Sequence, residues 1–204
     1  MTSEDVQHFA CCAVSCAFME IRPVEPRDLD ALIEIDGTVE SMQYLHVERS
    51  GEGMNLQWRI EERPLRTKLS DRNRPADELQ FTLKQFVTGV EEGIALLAEH
   101  EGAMIALLLA QPHPSHGTMK IADLRVDFDY RRQGLASAML YQVIAETRNR
   151  ELRAVTAEVP ANNVPASKLL SKLGFDLAGL DTQRHTNHDL VKESATLFWY
   201  AALT

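Results

Sequence analysis

Apolar and polar positions along the chain change period several times, and each change predicts an element. MEIRPV from Met19 alternates like an opening strand, and Pro26-Arg27-Asp28 leads into helical spacing at Leu29, Leu32, Ile33 and Ile35. From about Thr38 to Asn73 the pattern is least legible. A strand from Asn55 to Glu61 and the glycines Gly51 and Gly53 stand out there. Arg59, Arg63, Arg66, Lys68, Arg72 and Arg74 are interleaved with Glu61, Glu62 and Asp71. Such mixing favours a solvated face over an anion site, and a loop gripping a substrate is a further reading. From Phe81 the pattern reads as strands: FTLKQFV, IALLAEH, a turn at Glu101-Gly102, AMIALLLAQ, the turn-rich PHPSHG, and a strand from Met119 to Asp127. Helical spacing resumes after Gly134, a strand runs from Ala154 to Val159, and Val164 to Leu173 is helical until Gly174. Phe175 to Ala178 and Ala195 to Ala202 close the chain as strands around the polar loop QRHTNHDLVKE. Strands joined by short turns imply antiparallel pairing, whereas strand, helix and strand around Gly134 imply a parallel crossover. The expected fold is therefore α/β (α+β), with a mixed, mostly antiparallel central sheet.

The stretch DLRVDFDYRRQGLASAMLYQVIAETR, from Asp123 to Arg148, is the one the rest of the chain surrounds. A strand enters a helix through Arg131-Arg132-Gln133-Gly134-Leu135-Ala136. The first N–H groups of a helix lack intrahelical partners and carry the positive end of its dipole, so such a turn suits an anionic phosphate. A Walker loop is excluded because no lysine and hydroxyl follow Gly134, and a Rossmann fingerprint because two of its three glycines are missing. What remains is a turn that Gly134 and Ala136 keep small, or an ordinary strand-to-helix connection.

Composition narrows the setting. The chain has 204 residues, 45% of them hydrophobic, which suits one domain over 19–204. Its net charge of -9 argues against nucleic-acid binding and fits a cationic or amine-bearing partner. The longest apolar run, Ala103 to Ala110, is a buried strand's length, so no membrane span is expected and the compartment is read as cytoplasmic. Residues 1–18 differ from the rest and read as a disordered or non-native extension. They open with Glu4 and Asp5 where a signal peptide would be basic. Cys11, Cys12 and Cys16 all lie there with only His8 nearby, which argues against both a disulfide framework and a metal site.

The pairing of VDFDYRRQGLA with a downstream NNVPASKLLSKLGF resembles the GNAT superfamily of acyl-CoA-dependent N-acyltransferases. Within it, AEVPANNVPASKLLSKLGFDLAGLDTQRHTN and KESATLFWYAAL are similar to streptothricin acetyltransferases, through Glu158, Asn163, Gly179, Asp181 and Phe198-Trp199-Tyr200. The likeness runs from about Met19 and thins before residue 75. It implies a GNAT-like sheet with helices on both faces and acetyl-CoA as co-substrate, with no metal. Its pattern [RQ]xxGx[GA] falls on Arg131, Gly134 and Ala136, so Arg131, Arg132, Gln133, Gly134, Leu135 and Ala136 are the expected pyrophosphate loop. Leu124 and Val126 would bind the pantetheine arm, and Asn163 would cap its helix and help orient a ligand. The acceptor expected from the resemblance is a small primary amine, lysine-like or streptothricin-type. A protein N-terminus or lysine, and a non-enzymatic acyl-CoA-binding regulatory domain, are the rival readings. A homodimer is left open.

Acyl transfer from a thioester needs a neutral amine, a donor for the oxyanion, and a proton or stabilisation for the leaving thiolate. Candidates for taking the amine's proton are Glu158, Asp123 and Asp181, with Asp181 also expected to touch substrate; each also reads as a surface carboxylate or a cap. Together they suggest an acidic acceptor pocket. The family's usual acid, a tyrosine seven residues after the helix-opening asparagine, falls on Leu170, which donates nothing. Tyr200, Tyr141 or solvent would have to substitute. His185 and His188, in the polar loop before the last strand, read as solvated loop residues.

Overall fold

The computed structural model describes residues 19–71 and 77–203. The 1–18 extension with its cysteines, and Arg72 and Arg74, lie outside the described residues. β1 (Glu20–Pro23) is followed by two short 3-10 helices, Pro26–Asp28 and Ala31–Glu34. The helical spacing over Leu29 to Ile35 is thus realised as 3-10 turns. Ile35 is already extended (φ -60, ψ 118), which leaves too few residues for an α-helical nucleus. Leu32 and Ile35 are nonetheless buried.

The region that was hardest to read is a long hairpin, β2 (Val39–Glu52) with β3 (Asn55–Asp71). Gly51 turns its corner at φ +86, where an added Cβ would strike the Asn55 carbonyl. Only the base of the ribbon has a buried side, at Tyr44 and Val47, so most of its length carries no amphipathic signature.

FTLKQFV is not a strand; it belongs to α1 (Asp77–Val87). A strand would share one face between Phe81, Leu83 and Val87, yet Phe81 is 63% exposed while Leu83 is buried with Phe86 and Val87 packed beside it. That is helical spacing, and the short window fitted both periods.

β4 (Ile94–His100), β5 (Ala103–His113), β6 (Thr118–Val126), α2 (Leu135–Asn149), β7 (Ala154–Pro160), α3 (Val164–Lys172), β8 (Asp176–Asp181) and β9 (Thr196–Ala202) follow. The seven-stranded sheet has the order β1-β4-β5-β6-β7-β9-β8, with β2 and β3 forming their own ribbon. Its pairs are antiparallel except β6–β7, which α2 joins as a parallel crossover. β4 and β5 read as unbroken apolar runs because both their faces are covered. Leu97, Leu107 and Leu109 pack on the α1 side, whereas Leu96, Ala98, Leu108 and Ala110 pack on the side of α2 and α3. Leu135, Met139, Leu140, Val143 and Ile144 line the buried side of α2, each worth roughly 1.5–3 kcal/mol against exposure.

β1 is tied to this frame by charge. The Arg22 guanidinium meets Asp28 at 2.7 and 3.0 Å and Glu99 at 3.0 Å. The Asp28 carboxylate, also taking the Glu25 N–H at 2.8 Å, is held below its ordinary range, chiefly by Arg22.

Candidate functional site

The sheet opens between β6 and β7. Their parallel pairing runs from Thr118↔Ala154 to Ile121↔Ala157 and stops. On the other side of β6 the register jumps from Ala110↔Ile121 to Leu109↔Asp123, so Ala122 is an extra, bulged residue. A bulge bends and twists its strand, and β6 veers from β7 beyond it. Asp127 N–H bonds to Ile105 O on β5 at 2.8 Å. Alternation along a strand therefore turns the N–H groups of Leu124 and Val126 toward the opening, along an edge with no strand partner.

The edge leads into the turn. A 3-10 helix, Phe128–Tyr130, is capped by Asp127, whose carboxylate accepts the Asp129 N–H at 3.2 Å. Arg131 folds back so that its Nε donates to Val126 O at 3.0 Å, and its guanidinium lies 5.1 Å over the Phe128 ring. Burial pushes the Arg131 guanidinium down from its usual value. Its side chain therefore braces the end of the opening, leaving the backbone of the turn to face outward. Arg132 (φ +63) and Gly134 (φ +87) are both left-handed, which curls the peptide units around a concavity. Gly134 caps α2 without a side chain, and the earliest intrahelical bond runs from Ala138 N–H to Gly134 O at 3.0 Å. The N–H groups of Leu135, Ala136 and Ser137 thus leave the helix end without i−4 acceptors. A Cβ on Gly134 would meet nothing within 4 Å, so the space before this helix end is open. Arg132 and Gln133 are exposed beside it.

On the α1 side of the opening the carboxylates are engaged. Register places Lys120, Thr156, Glu158, Phe198 and Tyr200 on one face, and the bulge brings Asp123 and Arg125 to the same face. Asp123 is clamped by Arg125, with Nε at 2.6 Å and Nη2 at 2.9 Å. Glu158 meets Lys120 Nζ at 2.6 Å and Arg184 at 3.0 Å. Burial pushes the Glu158 carboxyl up, but Lys120 and Arg184 together outweigh it and leave Glu158 below the usual carboxylate range. An ionised carboxylate held by two cations is a weak proton acceptor. Asp181 accepts the Gln183 N–H at 2.8 Å and shapes the turn after β8. The expected acidic pocket is therefore corrected: each of the three carboxylates is paired or capping, and cations accompany two of them.

Other expected residues fall as follows. Asn163 caps α3, its Oδ1 accepting Ala166 N–H at 3.2 Å. Leu170 is buried in the core and its carbonyl takes the Phe175 N–H. Tyr141 lies exposed on the outer side of α2. Tyr200 pairs with Thr156, one rung before the last β6–β7 pair and two strands from β6. His185 and His188 are exposed in a loop organised by Asp189, which is 1% exposed and accepts the N–H groups of His185 and Thr186 at 2.8 and 2.9 Å. Lys120, Arg125, Arg184 and Asp189 escaped sequence reasoning, since isolated charges in a strand or polar loop look like surface. The i,i+2 spacing of Asp123 and Arg125 was the one local signal that they meet.

The hairpin closes one side. Leu45 N–H bonds to Ala161 O just past β7 at 2.8 Å, and Glu62 receives Lys168 of α3 at 2.7 Å. Buried Tyr44 lies beside Glu193, so β2 also touches the loop that carries Arg184; burial first, then Glu193, pushes its phenol up. Among the described residues no group of three or more His, Cys, Asp or Glu is placed to hold a metal, and no helix is long and apolar enough to cross a membrane.

Comparison with known proteins gives this geometry a context. The Acetyltransferase (GNAT) family model matches residues 54–175. Streptothricin acetyltransferase of Escherichia coli is 29% identical over 80 residues, 39% of this chain and 46% of that protein. The [Ribosomal protein bS18]-alanine N-acetyltransferase of Escherichia coli (strain K12) is 36% identical over 77 residues, 38% of this chain and 51% of that protein. The matched stretches thus span about half the length of these curated relatives. Nourseothricin acetyltransferase superposes with a TM-score of 0.73 at 20% identity, covering 91% of this chain and 99% of that one. A Bacillus anthracis protein solved in complex with acetyl coenzyme A does so with the same TM-score of 0.73 and 20% identity, covering 91% and 100%. At that identity these neighbours speak to the fold, a mixed α/β sheet with helices on both faces.

Proposed function

Because the chain belongs to the Acetyltransferase (GNAT) family, we propose that it moves the acetyl group of acetyl-CoA to a primary amine of a small molecule by direct attack. The observation that carries this reading is the continuity of the unpaired β6 edge with the bare N-terminus of α2. An extended pantetheine arm suits the N–H groups of Leu124 and Val126 as an added strand would, and a pyrophosphate suits the N–H groups from Gly134 to Ser137. The co-substrate supplies an activated acetyl thioester. The chain's part is to orient it and to offer N–H dipoles where negative charge develops on the acetyl oxygen. Leu170 leaves the thiolate's proton to solvent or another hydroxyl, which slows transfer by about 10²–10⁴-fold relative to a site with a placed acid.

The amine enters from the α1 side, since the phosphates occupy the α2 side and two reactants meet head-on through the opening. The hairpin is tied to Ala161, just past the end of β7, by the Leu45 N–H at 2.8 Å, and so flanks the opening. A second reading, acetylation of a protein's N-terminal residue, is favoured by the likeness to the alanine N-acetyltransferase. Thiol release from acetyl-CoA with small amines, set against peptides beginning with alanine, distinguishes them. Turnover of small amines is expected. Turnover of peptides alone would overturn the small-molecule assignment, and coenzyme A binding without turnover on any amine would favour a regulatory domain.

A further inference from the structure

The face from which the acceptor approaches has an unexpected charge balance. In a chain of net charge -9, Lys120 and Arg184 converge on the single carboxylate of Glu158, leaving the cluster at a formal +1. Among the described residues, Asp123 and Arg125 beside it pair with each other. Asp181 is turned into its own loop, and Glu193 lies at Tyr44. Lys120 and Arg184 are 37% and 42% exposed, so each keeps donors that Glu158 does not use. Arg184 is brought there by a loop whose shape is fixed from below by buried Asp189, so the cation is positioned rather than loose. Glu158 is also the first residue of β7 past the last β6 pair, which puts this surplus charge at the mouth of the opening.

From this we infer that the acceptor is an amine that also bears a carboxylate, an amino-acid-like molecule whose carboxylate is held by Lys120 and Arg184 while its amine reaches into the opening. The inference rests on the acyl-transfer reading and narrows it away from streptothricin-type polycations. Glu158 then acts as the anchor that holds two cations at the spacing a carboxylate needs. A positive neighbourhood serves the chemistry as well, because a nearby cation favours the neutral form of the attacking amine. The amine's nitrogen attacks the acetyl carbon, the carbon–sulfur bond breaks, coenzyme A leaves as thiolate, and the proton lost by nitrogen passes to water or to that thiolate.

The test compares matched acceptors with saturating acetyl-CoA: L-lysine, L-lysinamide and cadaverine, then L-phenylalanine, its amide and phenethylamine. Rates are compared at equal concentrations of neutral amine, since the amide and carboxylate shift the amine's own titration. Binding of the same compounds to the coenzyme A-loaded protein is read by calorimetry, so that slow chemistry does not mask recognition. The acids are expected to exceed their amides and decarboxylated amines by about 10- to 100-fold, the yield of one charge-assisted hydrogen bond, and mainly through KM. Arg184→Gln and Lys120→Gln should each remove most of that preference and leave acetyl-CoA affinity unchanged. Equal or better use of the carboxylate-free amines, failure of both acids to bind, or a preference surviving both substitutions overturns the inference. Loss of coenzyme A binding by the unaltered protein would instead overturn the acyl-transfer reading itself.

Discussion

Substituting Gly134 separates backbone geometry from ligand contact at the turn before α2. Gly134 sits at φ +87, ψ -3, where an L side chain is strained. Because an added Cβ meets nothing within 4 Å, Gly134→Ala and Gly134→Leu incur the same backbone cost, about 1–2 kcal/mol. For a chain of this size that lowers Tm by roughly 2–8 °C in both variants. The difference between them lies in the open space, which leucine fills and alanine barely enters. If a pyrophosphate occupies that space, leucine displaces it from at least one N–H donor, and one charge-assisted bond corresponds to about 10- to 100-fold in affinity. Isothermal titration with acetyl-CoA, paired with thermal melts, reads both effects. Gly134→Leu should bind at least tenfold more weakly than Gly134→Ala while melting within a few degrees of it. Equal affinities at equal Tm would refute the phosphate assignment, and unchanged melting in both would refute the strain argument.

Other outcomes follow from named contacts. Asp28→Ala strips Arg22 of its main partner and should cost about 3 kcal/mol in denaturant titration, as expected when one member of a buried pair is removed. The sign with pH follows from the lowered Asp28 pKa. Its contribution is complete above the ordinary aspartate value and is lost as pH falls through the depressed one, so the gap to the unaltered protein should stay constant from pH 8 to 5 and close only in stronger acid. A gap that shrinks between pH 7 and 5 would contradict this. Glu158 is likewise held ionised, so Glu158→Gln should leave any acidic limb of the kcat/KM profile near neutrality in place; disappearance of that limb would make Glu158 the base after all. Asp189→Ala unties the N–H groups of His185 and Thr186 and should cost about 1–3 kcal/mol locally. Faster tryptic cleavage at Arg184 is the readout, and unchanged cleavage would show that another contact orders the loop.

Where burial followed a clear period, local pattern and structure agree. β4, β5, β6, β7 and β9, the helices after Gly134 and Asn163, and the parallel crossover were all legible, because apolar spacing, Gly134 and the Asn163 cap act over a few residues. Phe81 to Val87 misled because seven residues fit either period, and only the partners waiting beside Leu83 and Phe86 chose the helix. The β2–β3 ribbon was obscure because most of it buries nothing.

The candidate site divides along the same line. The shape of the turn from Arg131 to Ala136 was legible in sequence, since a helix start, a glycine and small residues are properties of adjacent positions. The charge of the acceptor face did not appear there. Glu158, Asp123 and Asp181 promised an acidic surface, and whether a carboxylate meets solvent or a cation is decided by strands and loops far apart in the chain. Lys120 lies 38 residues before Glu158 and Arg184 lies 26 after it. The parallel β6–β7 pairing and the loop ordered by Asp189 bring them to one mouth. Local sequence marked the turn we propose for the donor's phosphates; the fold set the charge of the face across the opening, because electrostatic neighbours are set by distance in space and not along the chain.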